Sequence, residues 1–477
     1  MTVVNSVPTK TDFIDETVIQ NLLEKGKNRS REEVIDIIEK ARKAKGVTPE
    51  ECAVLLQVDD PELLSQVYHV AHQIKETIYG KRLVFFAPLY ISNYCVNNCR
   101  YCGYRRDNAF QRRRLNSEEI EEEVNILESL GHKRLALEAG EDPVNCPIDY
   151  ILDAIHTVYN VKNQKGSIRR INVNIAATTV ENYRKLKQAG IGTYILFQET
   201  YHRDTYRYMH PQGPKSDYQY HTTALDRAME AGIDDVGTGV LFGLYDYKFE
   251  VLALLFNALH LEDIFGVGPH TISVPRLRPA LGVDQSIFHH LVSDDEFKKI
   301  VAVLRLAVPY TGIILSTRET SQIRDELISL GISQLSAGSC TGVGGYKEKK
   351  WKESHQSSYG KDSTQFQIED HRSPDEVLQS VCLSGYIPSF CTACYRQGRT
   401  GDRFMPLAKT GQIQNICQPN AILTFKEYLE DYASEETKKI GEKMIAEHLQ
   451  FIPNTQVRQL TEERLKCIEN GQRDLYF

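Results

Sequence analysis

The period of the apolar positions changes along this chain. Between residues 31 and 80, the stretches REEVIDIIEKARKA and PELLSQVYHVAHQIKETIYG bring an apolar side chain back every three to four residues, the signature of amphipathic helices. No catalytic constellation stands out there, so 1–80 reads as an N-terminal helical extension that caps the neighbouring domain.

From residue 83 a second rhythm begins. Short apolar or β-branched runs predict strands at 83–92, 134–141, 170–176, 193–200, 235–244, 270–278, 312–319 and 332–339. Between them lie helical stretches such as NSEEIEEEVNILESLG, TTVENYRKLKQAG, TTALDRAMEAG, DDEFKKIVAVLRLAV and QIRDELISLG, several ending in the glycine that suits a helix C-cap. Eight such cycles predict an α/β chain whose residues 81–340 form a (β/α)8 TIM-type barrel. A doubly wound open sheet is the other arrangement of the same elements. Polar residues at the strand ends favour the barrel, whose chemistry collects at the C-terminal mouth. Residues 341–370, rich in Gly, Ser and Lys, read as a mobile loop or linker, and 371–477 as a C-terminal unit with a helical tail.

Composition narrows the class. A length of 477 residues suits a barrel with smaller attached units. The net charge of −7, without a concentrated basic face, argues against a nucleic-acid partner; the densest basic run, QRRRL at 111–115, reads as a solvated loop. No apolar run is long enough for a membrane span, and MTVVNSVPTKTDFID has no secretory apolar region, so we expect a cytoplasmic protein with no membrane partner. Six of the eleven cysteines fall in two tight groups, which in a reducing compartment favours metal ligands over disulfides.

The first group lies in ISNYCVNNCRYCGY, directly after the first strand, where Cys95, Cys99 and Cys102 form a C-x3-C-x2-C spacing. Thiolates are the ligands of iron–sulfur clusters, and three of them on a four-iron cubane leave one iron open to a small molecule. A structural zinc loop would need a fourth ligand, and none is close by in sequence. The second group, C-x2-C-x22-C, is Cys391 and Cys394 in SFCTACYRQGRTGDRFM with Cys417 in QNICQPN. The same count suits a second cluster, or zinc if His371 supplied a fourth ligand.

The first motif, after strand one of a barrel, resembles the radical S-adenosylmethionine (SAM) superfamily. The resemblance implies a 4Fe–4S cluster on Cys95, Cys99 and Cys102, with the SAM amino and carboxylate groups on the fourth position. It also implies SAM contacts at Tyr101, beside the adenine, and in EAGEDP, where Glu138, Ala139, Gly140 and Glu141 resemble the family's Gly-Gly-Glu stretch with Ala139 replacing the first glycine. Asn172, Asn174, Gln198 and Glu199, late in strands three and four, are further candidates for the ribose or amino-acid part of SAM, and GTGVLFGL at 237–244 for the adenine side.

Both cysteine groups together resemble the tyrosine lyases that mature iron-only hydrogenase, over nearly the whole chain, including YMHPQGPK, GVGPHTISVPRLRPA and SQLSAGSCTGVGGY. This implies reductive cleavage of SAM by an electron donor, and a 5′-deoxyadenosyl radical that takes hydrogen from the amino group of L-tyrosine. Cα–Cβ cleavage then yields p-cresol and dehydroglycine, and the latter becomes carbon monoxide and cyanide at an auxiliary 4Fe–4S cluster. In that family the auxiliary cluster carries an additional iron held by a histidine, matched here by His270, with a free cysteine bridging; other hydrogenase maturation proteins are the partners. The substrate carboxylate needs a cation, and Arg278 in PRLRP and Arg318 in STRET, ending strands six and seven, are the candidates. A thiamine-pathway tyrosine lyase (2-iminoacetate synthase) without a second cluster, a non-catalytic iron–sulfur carrier and a zinc protein remain the alternatives.

Overall fold

The computed structural model describes residues 12–355 and 364–477; residues 1–11 of the expected extension and 356–363 of the expected linker lie outside the described residues. Four helices come first: Glu16–Gly26, Arg31–Ala41, Pro49–Leu56 and Pro61–Tyr79. Their starts are written into the sequence. Ser30 with Glu33, and Thr48 with Glu51, form reciprocal capping boxes, and Asp60 caps the fourth helix just before Pro61. Their apolar faces bury against the helices Tyr247–Phe265 and Asp294–Ala307 of the next unit.

The next unit is a closed barrel of eight parallel strands: β1 Arg82–Ser92, β2 Arg134–Ala139, β3 Arg170–Asn174, β4 Tyr194–Ile195, β5 Val236–Gly239, β6 Thr271–Ser273, β7 Gly312–Leu315 and β8 Gln334–Ser336. β1 pairs with β8 on one side and β2 on the other, which closes the ring. Alternate residues of each strand point inward. The register sets Tyr90 opposite Glu138 and Glu138 opposite Asn174, so these three neighbour one another across β1, β2 and β3. Each predicted run holds a strand, but most are shorter than the apolar pattern suggests. β4 keeps two residues because the chain leaves the ladder to build the mouth, where Glu199 takes φ +69° and touches the sheet through one isolated bridge to Val240.

Two features depart from the sequence reading. A ninth strand, β9 Ile387–Ser389, pairs in parallel with Arg82–Val84 of β1, so the C-terminal unit adds an edge to the barrel sheet. Such an edge tolerates Pro388. The stretch read as a mobile linker contains the helix Gly345–His355, whose first backbone N–H groups at Tyr346 and Lys347 donate to Glu123 at 3.1 and 2.7 Å. A carboxylate at a helix N-terminus opposes the helix dipole, and this compensates for a polar segment with little apolar face. Beyond the undescribed residues, Gln365 N donates to Thr341 O at 2.9 Å and Gly103 N to Gln365 O at 3.0 Å, which lays the segment across the first cysteine loop.

The C-terminal helices, Pro374–Leu383, Ala393–Arg396, Gly401–Lys409, Gln414–Asp431, Glu435–Leu449 and Thr455–Glu469, pack beneath the barrel floor and along its side. Among the described residues no helix is long and apolar enough to cross a membrane. A buried ion pair ties the segment leading into this unit to the barrel: Arg324 donates to the Asp370 carboxylate and to the Ser336 carbonyl, and both charged side chains are 1% exposed. Replacing Arg324 by Met strands Asp370 with Arg372 as its remaining cation. Unfolding of the apoprotein by denaturant is expected to show a loss of about 3 kcal/mol, and a loss under about 1 kcal/mol would show that the pair is dispensable.

Candidate active site

The two cysteine groups occupy opposite mouths of the barrel. At the C-terminal mouth a cavity of about 210 Å³ is lined by Cys95, Cys99 and Cys102, by Tyr90 and Glu138 from β1 and β2, and by Arg318 after β7. At the N-terminal mouth a smaller cavity of about 60 Å³ is lined by Cys391, Cys394 and Cys417 together with His270 and Arg82. Among the described residues no three Cys, His, Asp or Glu side chains converge on a point that would hold one metal ion. A polynuclear cluster does not require that convergence, since each thiolate ligates its own iron. Burial pushes the Cys95, Cys99 and Cys102 thiols up, Cys102 to about 11, so they are neutral until a cationic centre displaces their protons.

The upper loop is built by close backbone approach. Gly140 N donates to Ser92 O at 3.0 Å and Val96 N to Glu141 O at 2.7 Å, which docks the end of β2 on the cysteine loop. A Cβ on Gly140 would stand 2.3 Å from the Tyr94 carbonyl oxygen and 3.2 Å from Cys95 Cβ. Gly140 is thus the glycine this contact requires, and Ala139 occupies the position beside it without such a constraint. The Glu141 carboxylate accepts from Asn97 Nδ2 at 2.5 Å, and Asn97 Oδ1 accepts from Lys215 N at 2.9 Å. Lys215 Nζ donates to Glu199 at 2.8 Å. Burial opposes the Lys215 charge, but Glu199 and Cys99 outweigh it and hold the ammonium protonated. Tyr101 is fixed by a 2.8 Å hydrogen bond between its hydroxyl and His210 Nε2, with His210 Nδ1 2.8 Å from the Tyr206 carbonyl.

The lower cavity is cationic. Arg82, Arg134 and Arg399 line it, and Arg170 stacks 4.0 Å over the ring of Tyr395. Arg134 Nη2 donates to the Cys391 carbonyl at 2.8 Å. A hydrogen bond from the Cys417 thiol, aided by Arg399, brings Cys394 below the ordinary thiol range, and Cys417, which keeps the shared proton, is pushed up. His270 is enclosed between Phe404, 4.7 Å away ring to ring, and Asp235, whose Oδ1 is 3.5 Å from His270 Nδ1. Burial lowers its basicity, Asp235 opposes that, and the imidazole lines the same cavity as the three thiols.

Residues 89–256 match the Radical SAM superfamily, and residues 273–387 match the Biotin and Thiamin Synthesis associated domain. A crystal structure of HydG, a maturase of the FeFe-hydrogenase, is 65% identical, covers 98% of this chain and 100% of its own, and superimposes with a TM-score of 0.94. The chain belongs to the HydG family of radical SAM enzymes. HydG from Carboxydothermus hydrogenoformans is 40% identical over 94% of this chain and 98% of its own, with a TM-score of 0.81. The 2-iminoacetate synthase of Salmonella typhimurium is 29% identical over 352 residues, 74% of this chain and 89% of the relative.

Within this HydG-type barrel, the candidates read from sequence separate into two sets. Tyr101, Glu138, Ala139, Gly140, Glu141, Asn174, Glu199 and Arg318 line the upper cavity with the three cysteines. Asn172, Gln198 and Arg278 do not. The Asn172 side chain accepts from Thr193 N at 3.1 Å deep between β3 and β4, and Gln198 donates to Thr222 outside the strand ring at 2.8 Å. Arg278 is held by Glu319 at 2.6 Å, a carboxylate it shares with Arg276, and is no free cation for a substrate. Residues that sequence reasoning passed over include Asn97, Lys215, His210 and Gln365 above, and Arg82, Arg134, Arg170, Asp235, Tyr395 and Arg399 below. A signal existed for three of these: β1, β2 and β3 each begin with arginine.

The Gly140 contact yields a test. Gly140→Ala forces the Tyr94–Cys95 backbone to move, so reconstituted protein is expected to hold at least about tenfold less SAM-bound cluster by electron paramagnetic resonance. Unchanged SAM binding would show that the loop accommodates a methyl group at that contact.

Proposed function

We propose that this chain is a radical SAM lyase that cleaves the Cα–Cβ bond of L-tyrosine to p-cresol and dehydroglycine, and converts dehydroglycine to carbon monoxide and cyanide for the FeFe-hydrogenase active site. The observation that carries the reading is the second thiol set, Cys391, Cys394 and Cys417, gathered with His270 at the mouth opposite the first. A lyase that stopped at dehydroglycine would have no use for it. Membership of the HydG family supports the same reading.

Cys95, Cys99 and Cys102 would hold the SAM-binding 4Fe–4S cluster, with Tyr101 and Glu141 toward SAM. Cluster and SAM together supply, on one-electron reduction by an external donor, a 5′-deoxyadenosyl radical. Arg318 would anchor the tyrosine carboxylate: it lies in the cavity, packed 3.3 Å over the ring of Phe366. The stacked face leaves the guanidinium edge for a bidentate carboxylate. Gln365 and Phe366, carried over the cavity by the segment after the helix Gly345–His355, keep water from the reacting centre. Below, Cys391, Cys394 and Cys417 would hold an auxiliary 4Fe–4S cluster, and His270 an additional iron bridged by free cysteine. Hydrogenase maturation proteins would receive the product.

The decisive assay is anaerobic. Protein reconstituted with iron and sulfide, given SAM, tyrosine and dithionite, is expected to form p-cresol, carbon monoxide and cyanide. Cys394→Ser is expected to keep p-cresol and lose carbon monoxide. p-Cresol without carbon monoxide from the intact protein would favour a 2-iminoacetate synthase, and absence of SAM cleavage would overturn the lyase reading.

A further inference from the structure

Three carboxylates line the upper cavity, and two of them have fixed partners. Glu141 accepts from Asn97 and belongs to the cysteine-loop contact, and Glu199 is paired with Lys215. The third, Glu138, has no cation in contact among the described residues. It projects inward from β2, between Tyr90 of β1 and Asn174 of β3, to which the register makes it the direct cross-strand neighbour at about 4.8 Å between strands. Asn174 hydrogen-bonds to its carboxyl group, and the charged group acting on it is Arg318 from the loop after β7. Tyr90, on its other side, spends its hydroxyl proton on Gln365 Oε1 at 2.9 Å. The open surface of Glu138 therefore faces the cavity on the side where Arg318 would hold a substrate carboxylate.

We propose, resting on the tyrosine-lyase reading above, that Glu138 is a further catalytic residue: its carboxylate takes a proton from the ammonium group of the bound amino acid. The ammonium N–H bond breaks heterolytically, an O–H bond forms on Glu138, and no electron moves. The amine left behind has a lone pair beside the N–H bond from which a hydrogen atom is then abstracted. The proton removed equals the one consumed when the benzyl fragment, reduced by one electron from the donor, becomes p-cresol.

The chemistry requires an unusual carboxyl group. An ordinary glutamate is too weak a base for an ammonium by several pK units. Burial pushes Glu138 up to about 8, against the opposing effects of Asn174 and Arg318, which brings its basicity toward that of an amino group; the ammonium of the bound amino acid, a cation beside it, then favours the ionised form that accepts the proton. A role confined to stitching β2 to β3 through Asn174 would not need the carboxylate to be ionised at any stage.

The test compares wild type with Glu138→Gln, which keeps the size and the hydrogen bond to Asn174 and removes the base. Each reconstituted holoenzyme is given SAM, tyrosine and dithionite from pH 7 to pH 10; p-cresol and 5′-deoxyadenosine are quantified, and SAM binding to the cluster is followed separately by electron paramagnetic resonance. At pH 7 the variant is expected to keep the wild-type signal of the SAM-bound cluster, while tyrosine-dependent 5′-deoxyadenosine and p-cresol fall together about 10²-fold. The p-cresol deficit is expected to shrink as pH rises through about 8–10, where the substrate ammonium loses its proton unaided. A p-cresol rate within threefold of wild type at pH 7, or a deficit that stays constant with pH, would overturn the proposal. If the signal of the SAM-bound cluster falls as well, Glu138→Asp decides: recovery of p-cresol with a wild-type pH profile supports the base, and failure to recover overturns it. Wild type that forms 5′-deoxyadenosine but no p-cresol from tyrosine would instead overturn the lyase reading, and the proposal with it.

Discussion

Strand β1 pairs with three strands at once, and both sites depend on it. Arg82–Val84 bond to β9, Val84–Phe86 to β8, and Ala87–Ser92 to β2. That length closes the barrel and also sets one end of each cavity. Arg82 and Val84 face the lower thiols, Phe86, Pro88 and Tyr90 face the upper cavity, and the strand runs directly into the loop of Cys95. Because side chains alternate with a period of two, a slip of one residue in β1 would turn both sets out of the barrel together. Its burial matches this role: apart from the half-buried Phe86, the strand is buried throughout.

The same constraint explains what was legible in the chain. The barrel shows in the alternation of apolar runs with helical stretches because each strand packs on both faces and each helix on one. Strand length does not show in this way. Residues 193–200 carry an apolar run long enough for a full strand, yet two residues pair, since the rest is shaped by the mouth and by Glu199 in a left-handed conformation. β9 is hidden because three residues containing Pro388 make no periodic pattern, and their pairing is decided by the position of β1, at the far end of the barrel sequence. The helix Gly345–His355 is hidden for the opposite reason: its sequence is polar on nearly every side, and its start is stabilised by Glu123 from another helix.

At the sites, local spacing was readable and three-dimensional convergence was not. Cys95, Cys99 and Cys102 announce themselves because one loop supplies all three. Arg278 and Arg318 look equivalent in sequence, each an arginine just past a strand. The difference is Glu319, which neutralises Arg276 and Arg278 together while its neighbour Arg318 turns into the cavity. The lower arginines escaped notice because Arg82, Arg134 and Arg170 lie far apart in the chain, and their meeting is a consequence of barrel closure.

Closure also separates two electrostatic environments that one open sheet could not keep apart. The upper cavity holds three acids against Lys215 and Arg318, and burial leaves Glu138 and Glu141 reluctant to ionise. The lower cavity is lined by Arg82, Arg134 and Arg399 with Asp235 as the acid, and there Cys394 is drawn toward thiolate at the expense of Cys417, while Cys391, like the three upper thiols, is pushed up by burial. Buried charges interact strongly across short distances, so an acid-lined and an arginine-lined site placed side by side would neutralise each other. Placing them at opposite ends of a barrel, with apolar Ile195 and Ile314 facing the upper chamber, keeps the acids of one mouth from neutralising the arginines of the other.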